Sequence, residues 1–162
     1  GITVKWNKTA GASGYIVYRK GTSGSWTRIA DVKSGSTTSY TDKTASGGST
    51  YSYTVRAYAG KTMSDWHNYK SLKRLADPKF DSAYAVKAGI TLKWRKVTGA
   101  GGYILYRKTP GGSWARIADI KSGSTLKYVD KTAARGVKYS YTIRAYSGKI
   151  MSSWNSVRNI AR

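Results

Sequence analysis

An internal repeat constrains this chain more than any other feature of its sequence. Residues 1–74 align without a gap with residues 89–162 at an offset of 88, and 45 of the 74 paired positions are identical. The six tryptophans all obey this offset and pair as Trp6 with Trp94, Trp26 with Trp114 and Trp66 with Trp154. Self-similarity at this length predicts two copies of one small domain rather than a single larger domain.

Each copy has the alternating pattern of a β protein. In residues 2–6, apolar and polar side chains alternate, which places Trp6 and two aliphatic residues on one face of a strand. Residues 50–58 continue this period of two and place Tyr51 and Val55 among the inward residues. Clusters of Gly and Ser separate the short apolar runs, and no segment longer than a turn has a helical period. The pattern predicts an all-β chain of two tandem immunoglobulin-like β-sandwiches with about seven strands each.

Four segments in this order carry a more specific signal. They are ITVKW at 2–6, GYIVYRK at 14–20, SYTD at 39–42 and YSYTVRAY at 51–58. Together they resemble a fibronectin type III module of the kind found in Gram-positive surface and cell-wall proteins, and the resemblance covers nearly all of both copies. It implies that Trp6 and Trp94 are core residues of the second strand. It also implies that Tyr51 and Tyr139 are tyrosine-corner residues whose hydroxyls bond nearby backbone.

We therefore expect the same three core positions to be buried in both copies. The residues at these positions are Trp6, Tyr51 and Val55 in the first copy and Trp94, Tyr139 and Ile143 in the second.

The copies differ in the segment that precedes them. Residues 75–88 lie between the copies, and PKFDSAYAV at 78–86 resembles the first strand of the family. We predict a first domain at 1–74 and a second at 75–162, in which residues 75–88 form a linker and the first strand. The first copy begins directly on its second strand, so we expect it to lack its first strand and to have an open sheet edge. We also expect the sequence to be a piece of a longer array.

The charge of the chain points to anionic partners. Its 29 Lys and Arg residues stand against seven acidic residues, for a formal net charge of +22. Residues 1–74 carry 12 basic and 3 acidic residues (+9), and residues 89–162 carry 15 and 2 (+13), so both copies are strongly cationic. Such a surface attracts polyanions of several kinds, including teichoic acid, sulfated or acidic glycans, anionic lipid and nucleic acid. No apolar run reaches 18 residues, so we predict no membrane insertion.

No catalytic or metal site is predicted. The chain has no cysteine, and its one histidine, His67, is replaced by Asn155 in the second copy, although a duplicated active site should keep its base in both copies. The aspartates that recur in both copies are Asp31, Asp42, Asp119 and Asp130. We expect these residues to stabilise turns and to pair with lysines rather than to bind Ca²⁺. The chain is therefore predicted to be non-catalytic, with no cofactor and no bound metal.

One basic aromatic face is predicted to bind a ligand. Alternation along two neighbouring strands directs one set of Tyr, Lys and Arg side chains outward, and the adjacent strand extends this set with a Trp and an Arg. The predicted residues are Tyr18, Lys20, Arg56, Tyr58, Trp26 and Arg28 in the first copy and Tyr106, Lys108, Arg144, Tyr146, Trp114 and Arg116 in the second. Such residues suit stacking on sugars or bases together with pairing to phosphate or sulfate. They suit equally a cross-strand ladder that only stabilises the sheet.

The sequence thus favours a secreted or cell-surface spacer that presents other domains and attaches electrostatically to anionic cell-wall polymers or glycans. One alternative is an adhesin that binds a specific host surface protein or glycan through the basic aromatic face. Another is a structural subunit that self-associates through the open edge of the first copy and polymerises by strand donation into a fibre or surface layer. Nucleic acid is a less favoured partner, because the sequence contains no nucleic-acid-binding motif.

Overall fold

The computed structural model describes residues 1–66, 68–154 and 157–162. All regular secondary structure in these ranges is β-strand, which confirms the predicted all-β class. The chain forms two compact units, Gly1–Arg74 and Leu75–Arg162. No helix in the described ranges has the length and apolar character needed to cross a membrane. His67 and Asn155, which the sequence argument compared, lie outside the described residues.

The first unit is a sandwich of two antiparallel sheets. Its described strands are β1 (Ile2–Lys5), β2 (Gly14–Lys20), β3 (Thr27–Val32), β4 (Ser39–Asp42), β5 (Thr50–Ala59), β6 (Thr62–Met63) and β7 (Lys70–Lys73). One sheet pairs β1 with β4, and the other has the order β3-β2-β5-β6, with β7 also paired to β5. The inner faces of the two sheets enclose the core, as in other sandwiches.

The second unit repeats this topology and adds one strand. Its described strands are β8 (Phe80–Val86), β9 (Gly89–Trp94), β10 (Gly102–Lys108), β11 (Ala115–Ile120), β12 (Lys127–Asp130), β13 (Lys138–Ser147), β14 (Ile150–Met151) and β15 (Val157–Ala161). The sheets have the orders β12-β9-β8 and β11-β10-β13-β14, and β15 also pairs with β13. The added strand is β8, which lies within the segment predicted as the first strand of this copy.

The cores of the two units differ in how well they are covered. Trp94, Tyr139 and Ile143 are buried as predicted, with exposed fractions of 2%, 6% and 0%. The same prediction was wrong for the first copy, where their counterparts Trp6, Tyr51 and Val55 are only half-buried. The physical reason is β8, which places the Phe80 side chain in the core opposite Trp94. No described strand occupies that place beside β1.

The tyrosine corners form in both units, as the resemblance implied. The Tyr51 hydroxyl accepts a hydrogen bond from the backbone N–H of Ser46 at 3.2 Å. In the second unit, the Tyr139 hydroxyl accepts the equivalent bond from Ala134 at 3.1 Å. Each bond ties the start of the longest strand to the chain that precedes it.

A buried aspartate joins the two sheets of each unit. At the end of β4, Asp42 accepts hydrogen bonds from the Tyr53 hydroxyl and from Arg19 Nη1, both at 2.8 Å. It also accepts from the backbone N–H of Thr44 at 2.9 Å, which is the predicted turn chemistry. The expected lysine partner was wrong: the ion pair is with arginine, because Arg19 projects inward from β2 and stacks over Tyr51. Asp130 has the equivalent partners in the second unit.

Candidate functional site

The outer face of the five-stranded sheet in the first unit carries the predicted binding residues. Across β2 and β5, Ile16 lies opposite Arg56, Tyr18 opposite Thr54, and Lys20 opposite Ser52. Residues directly opposite each other share a face, and successive residues alternate between faces. Tyr18, Lys20 and Arg56 therefore lie on one outer face.

Trp66 covers the centre of this face in the first unit. Its ring packs on Tyr18 with 4.7 Å between ring centroids. The Arg56 guanidinium lies 4.9 Å from the centroid of the same ring, and Arg56 Nε donates to the backbone oxygen of Ser64 at 2.7 Å. This bond holds the guanidinium against the indole, a cation–π arrangement. Trp66 remains 51% exposed, so one part of its ring is accessible to a ligand.

Lys20 connects this centre to two further aromatic rings. Its Nζ lies 4.9 Å from the Trp26 ring centroid and 5.1 Å from that of Tyr69. Trp26 lies 5.8 Å from Tyr69 and 6.3 Å from Trp66, again between centroids. A continuous aromatic cluster with two cations thus covers the outer face. We call the following six residues the basic aromatic cluster: Tyr18, Lys20, Trp26, Arg56, Trp66 and Tyr69.

The second unit has a smaller version of the basic aromatic cluster. Tyr106 packs on Trp154 at 4.5 Å, and the Arg144 guanidinium lies 4.9 Å from the Trp154 ring centroid. Lys108 Nζ lies 5.2 Å from the Trp114 ring centroid. Val157 stands at the position of Tyr69, so the second cluster lacks that ring.

Two predicted residues of each copy belong instead to a separate group around an aspartate. The Tyr58 hydroxyl donates to Asp31 at 3.0 Å, and Arg28 forms an ion pair with the same carboxylate. Tyr58 faces Gly14 across the strands, and its ring lies over this glycine so closely that a Cβ there would come 2.4 Å from the hydroxyl oxygen. Burial and the hydrogen bond to Asp31 raise the pKa of the Tyr58 hydroxyl.

The same group recurs in the second unit, where the Tyr146 hydroxyl donates to Asp119 at 3.1 Å and Arg116 forms an ion pair with that carboxylate. The charges of Arg28 and Arg116 are therefore partly neutralised by Asp31 and Asp119. The structure therefore brings Tyr18, Lys20, Trp26 and Arg56 together and places Tyr58 and Arg28 in a separate group with Asp31.

Three residues of the two clusters were not predicted from the sequence: Trp66, Trp154 and Tyr69. The repeat offset shows that both copies have a tryptophan at this position. However, both tryptophans lie in the chain after the last segment in which apolar and polar residues clearly alternate. Period-two reasoning therefore assigns them no face. Tyr69 has no counterpart in the second copy and no sequence signal of its own.

The clusters combine flat apolar surfaces with positive charge. Exposed indole and phenol rings offer flat apolar faces, and the adjacent guanidinium and ammonium groups offer hydrogen-bond donors with positive charge. In the part of the chain that the structure describes, no group of three or more His, Cys, Asp or Glu side chains is placed to hold a metal ion.

Comparisons with known proteins identify the fold. No protein-family model and no curated protein matches the chain. Among solved structures, the FN1–FN3 domains of chicken CNTN1 match with a TM-score of 0.52 and 16% identity, over 99% of this chain and 62% of that chain. The chain thus spans less than two thirds of the CNTN1 fragment. This likeness shows that the two units are fibronectin type III-like sandwiches in tandem, which confirms the predicted fold.

Two further solved structures are similar to the chain. A two-domain fibronectin type III segment from chicken tenascin matches with a TM-score of 0.49 and 16% identity, over 99% of this chain and 91% of that chain. An Fn3-like protein from Clostridium thermocellum has 29% identity and a TM-score of 0.43, over 51% of this chain and 90% of that chain.

Proposed function

We propose that these two fibronectin type III-like modules form a non-catalytic extracellular spacer that presents other domains and attaches to anionic cell-wall polymers or glycans. One observation carries the proposal: each module places exposed aromatic rings and cations on the same outer sheet face, at positions related by the repeat. Trp66 and Trp154, the central rings, are 51% and 50% exposed. Each of these rings packs against other rings of its cluster, and contiguous exposed apolar patches are typical of binding surfaces, whereas singly exposed rings are not.

The composition of the clusters favours a charged sugar polymer. Ring faces stack on the apolar face of a sugar, while Arg and Lys pair with phosphate, sulfate or carboxylate groups. The net charges of +9 and +13 on the two repeats draw a polyanion toward either module from any direction. Charge and ring stacking therefore make separate contributions to the binding free energy. Mutations that remove only one of them can measure each contribution.

Charge reversal tests whether the clusters bind the polymer. Arg56→Glu with Arg144→Glu is compared with Lys61→Glu with Lys149→Glu, because both pairs lower the net charge by the same amount and Lys61 and Lys149 are exposed outside the clusters. We expect the arginine pair to weaken binding to heparin or teichoic acid more than the lysine pair, as measured by calorimetry. Circular dichroism checks that each variant folds. Equal losses from the two pairs would mean that only diffuse charge binds, which contradicts the proposal.

A charge-neutral variant tests the stacking. Trp66→Ala with Trp154→Ala removes both central rings and leaves every cation in place. Stacking on an aromatic residue contributes about 1–3 kcal/mol per contact, so we expect a loss of roughly tenfold or more in affinity. The dependence of affinity on salt should stay unchanged, because it reports the number of charge contacts. Unchanged affinity in this variant would show that the rings take no part.

A further inference from the structure

The two clusters differ in how their exposed rings are connected. In the first unit, Trp66 and Tyr69 are 51% and 59% exposed, and Trp26 contacts both of them. In the second unit, Val157 stands in the place of Tyr69, and Trp154 is the most exposed ring of the cluster. The first unit therefore has an additional exposed ring that belongs to the same continuous cluster as the central tryptophan.

Trp26 holds the two exposed rings of the first unit in place. Its ring centroid lies 6.3 Å from that of Trp66 and 5.8 Å from that of Tyr69, and the contact with Tyr69 is edge-to-face at 62°. Edge-to-face packing is a favourable arrangement of aromatic pairs, so it restricts the orientation of both rings. Trp66 and Tyr69 thus present two ring surfaces whose positions are linked through a common neighbour.

Lys20 places a cation beside the second of these rings. Its Nζ lies between 4.9 and 5.1 Å from the ring centroids of Trp26 and Tyr69, so both rings attract the ammonium group. The ammonium group has three hydrogen-bond donors, and it can pair with an anionic group of a ligand. The first unit therefore combines two exposed rings with a positioned positive charge.

The equivalent part of the second unit is less ordered by contacts. Lys108 lies 5.2 Å from the Trp114 ring centroid, but among the described residues no other ring of the cluster contacts Trp114. A side chain that is not already packed loses more conformational freedom when a ligand binds, and this loss lowers affinity. In the second unit, Trp154 is therefore the ring that is best prepared for stacking.

We infer that the first unit binds two sugar rings of one acidic oligosaccharide chain, that the second unit binds one, and that Tyr69 is the residue that sets this difference. In the first unit, one sugar stacks on Trp66 and another on Tyr69, while an anionic group of the chain pairs with Lys20. The inference rests on the proposed function and goes beyond it, because it assigns a different ligand length to each of the two modules.

The register of the second unit shows that a ring at position 157 would join its cluster. Thr142 lies opposite Tyr106 on β10 and opposite Val157 on β15. Residues in such a row share a face of the sheet, so Val157 lies on the same outer face as Tyr106. Val157 is exposed, which leaves room for a larger side chain. Exchange of Tyr69 and Val157 is therefore a mild change, because each residue already occupies this position in one unit.

Sugars of two lengths test the inference on the full chain. The probes are a sulfated glucosamine monosaccharide, which covers one ring at a time, and a heparin-derived hexasaccharide. NMR titration followed through the indole N–H signals of Trp66 and Trp154 gives the affinity of each cluster separately. We expect the gain in affinity from monosaccharide to hexasaccharide to be about tenfold larger at Trp66, because stacking on one more ring contributes roughly this factor.

Exchange of the two residues isolates the role of Tyr69. Tyr69→Val should lower the hexasaccharide affinity of the first unit by about tenfold and leave its monosaccharide affinity nearly unchanged. Val157→Tyr should raise the hexasaccharide affinity of the second unit by a similar factor, and Tyr69→Phe, which keeps the ring, should behave as the original chain. The matched control is Tyr84→Val, because Tyr84 is an exposed ring beside Lys93 that lies outside both clusters. This control should change neither affinity.

Two results would overturn the inference and leave the proposed function standing. The first is a gain with length that is equal in both units or larger in the second, which charge alone would produce because the two repeats carry +9 and +13. The second is an equal loss of monosaccharide and hexasaccharide affinity in Tyr69→Val, which would mean that Tyr69 only holds Lys20 in position. If the original chain bound neither the hexasaccharide nor heparin, the proposed function itself would be refuted, and the inference with it.

Discussion

The buried aspartate of the second unit allows a quantitative test of what holds the sandwich together. Asp130 is 0% exposed and accepts hydrogen bonds at 2.7 Å from Arg107, from the Tyr141 hydroxyl and from the Thr132 hydroxyl. Asp130→Asn keeps the shape of the side chain but removes its charge, so Arg107 loses its ionic partner. Breaking a buried ion pair costs about 3–5 kcal/mol, and here the lower end applies. The reason is that the Arg107 side chain is 22% exposed and regains some hydration.

The pH dependence of the unfolding free energy provides an independent check on the role of Asp130. Burial alone would raise the pKa of Asp130, but hydrogen bonds from Thr132, Tyr141 and Arg107 outweigh it and hold the pKa below its usual range. A carboxyl group with a lowered pKa in the folded state stabilises the protein above its unfolded pKa of about 3.9, and this contribution is lost as the pH falls through the folded pKa. We therefore expect the difference in unfolding free energy between the original chain and Asp130→Asn to be largest near neutral pH and to shrink in acid.

The measurement is urea unfolding at neutral and acid pH, with hydrogen exchange to separate the two units. Asp81→Asn is the control, because Asp81 is more than half exposed and its contact with Arg95 is long. An exposed pair of this kind contributes about 0–1 kcal/mol. If Asp130→Asn were as stable as Asp81→Asn, or if its deficit did not change with pH, the network would not join the sheets as argued.

Two substitutions with matched partners test the packing. Trp94→Ala should lower the unfolding free energy of the second unit by about 3–5 kcal/mol, and Trp6→Ala should cost the first unit less, because Trp6 is only half-buried. Equal losses in denaturant titrations would contradict the difference in burial. Gly102→Ala should destabilise by roughly 1–3 kcal/mol through overpacking, because the new Cβ would lie 2.4 Å from the Ile120 carbonyl oxygen and 2.5 Å from the Tyr146 ring. Gly101→Ala, whose nearest neighbour is at 3.7 Å, should leave the melting temperature nearly unchanged, and similar shifts for both glycines would refute this account.

Much of the architecture follows from the sequence alone. The gapless offset of 88 predicts two copies of one module, and alternation along β5 and β13 predicts which side chains face the core. Because side-chain direction in a strand alternates strictly, this inference needs only local geometry. It placed Tyr18, Lys20 and Arg56 on one outer face, and the register of β2 and β5 agrees.

Other features were decided only by the tertiary structure. Trp6 and Trp94 occupy equivalent positions, yet their burial differs because a separate strand, β8, covers only Trp94. The role of Tyr58 depends on how its ring lies over Gly14 and reaches Asp31, and the position of Trp66 depends on how the chain after β6 returns across the sheet. Alternation predicts the face on which a side chain lies, but burial and partners depend on segments distant in sequence that fold against that face. The sheet-joining aspartates and the basic aromatic cluster both arise from such long-range contacts.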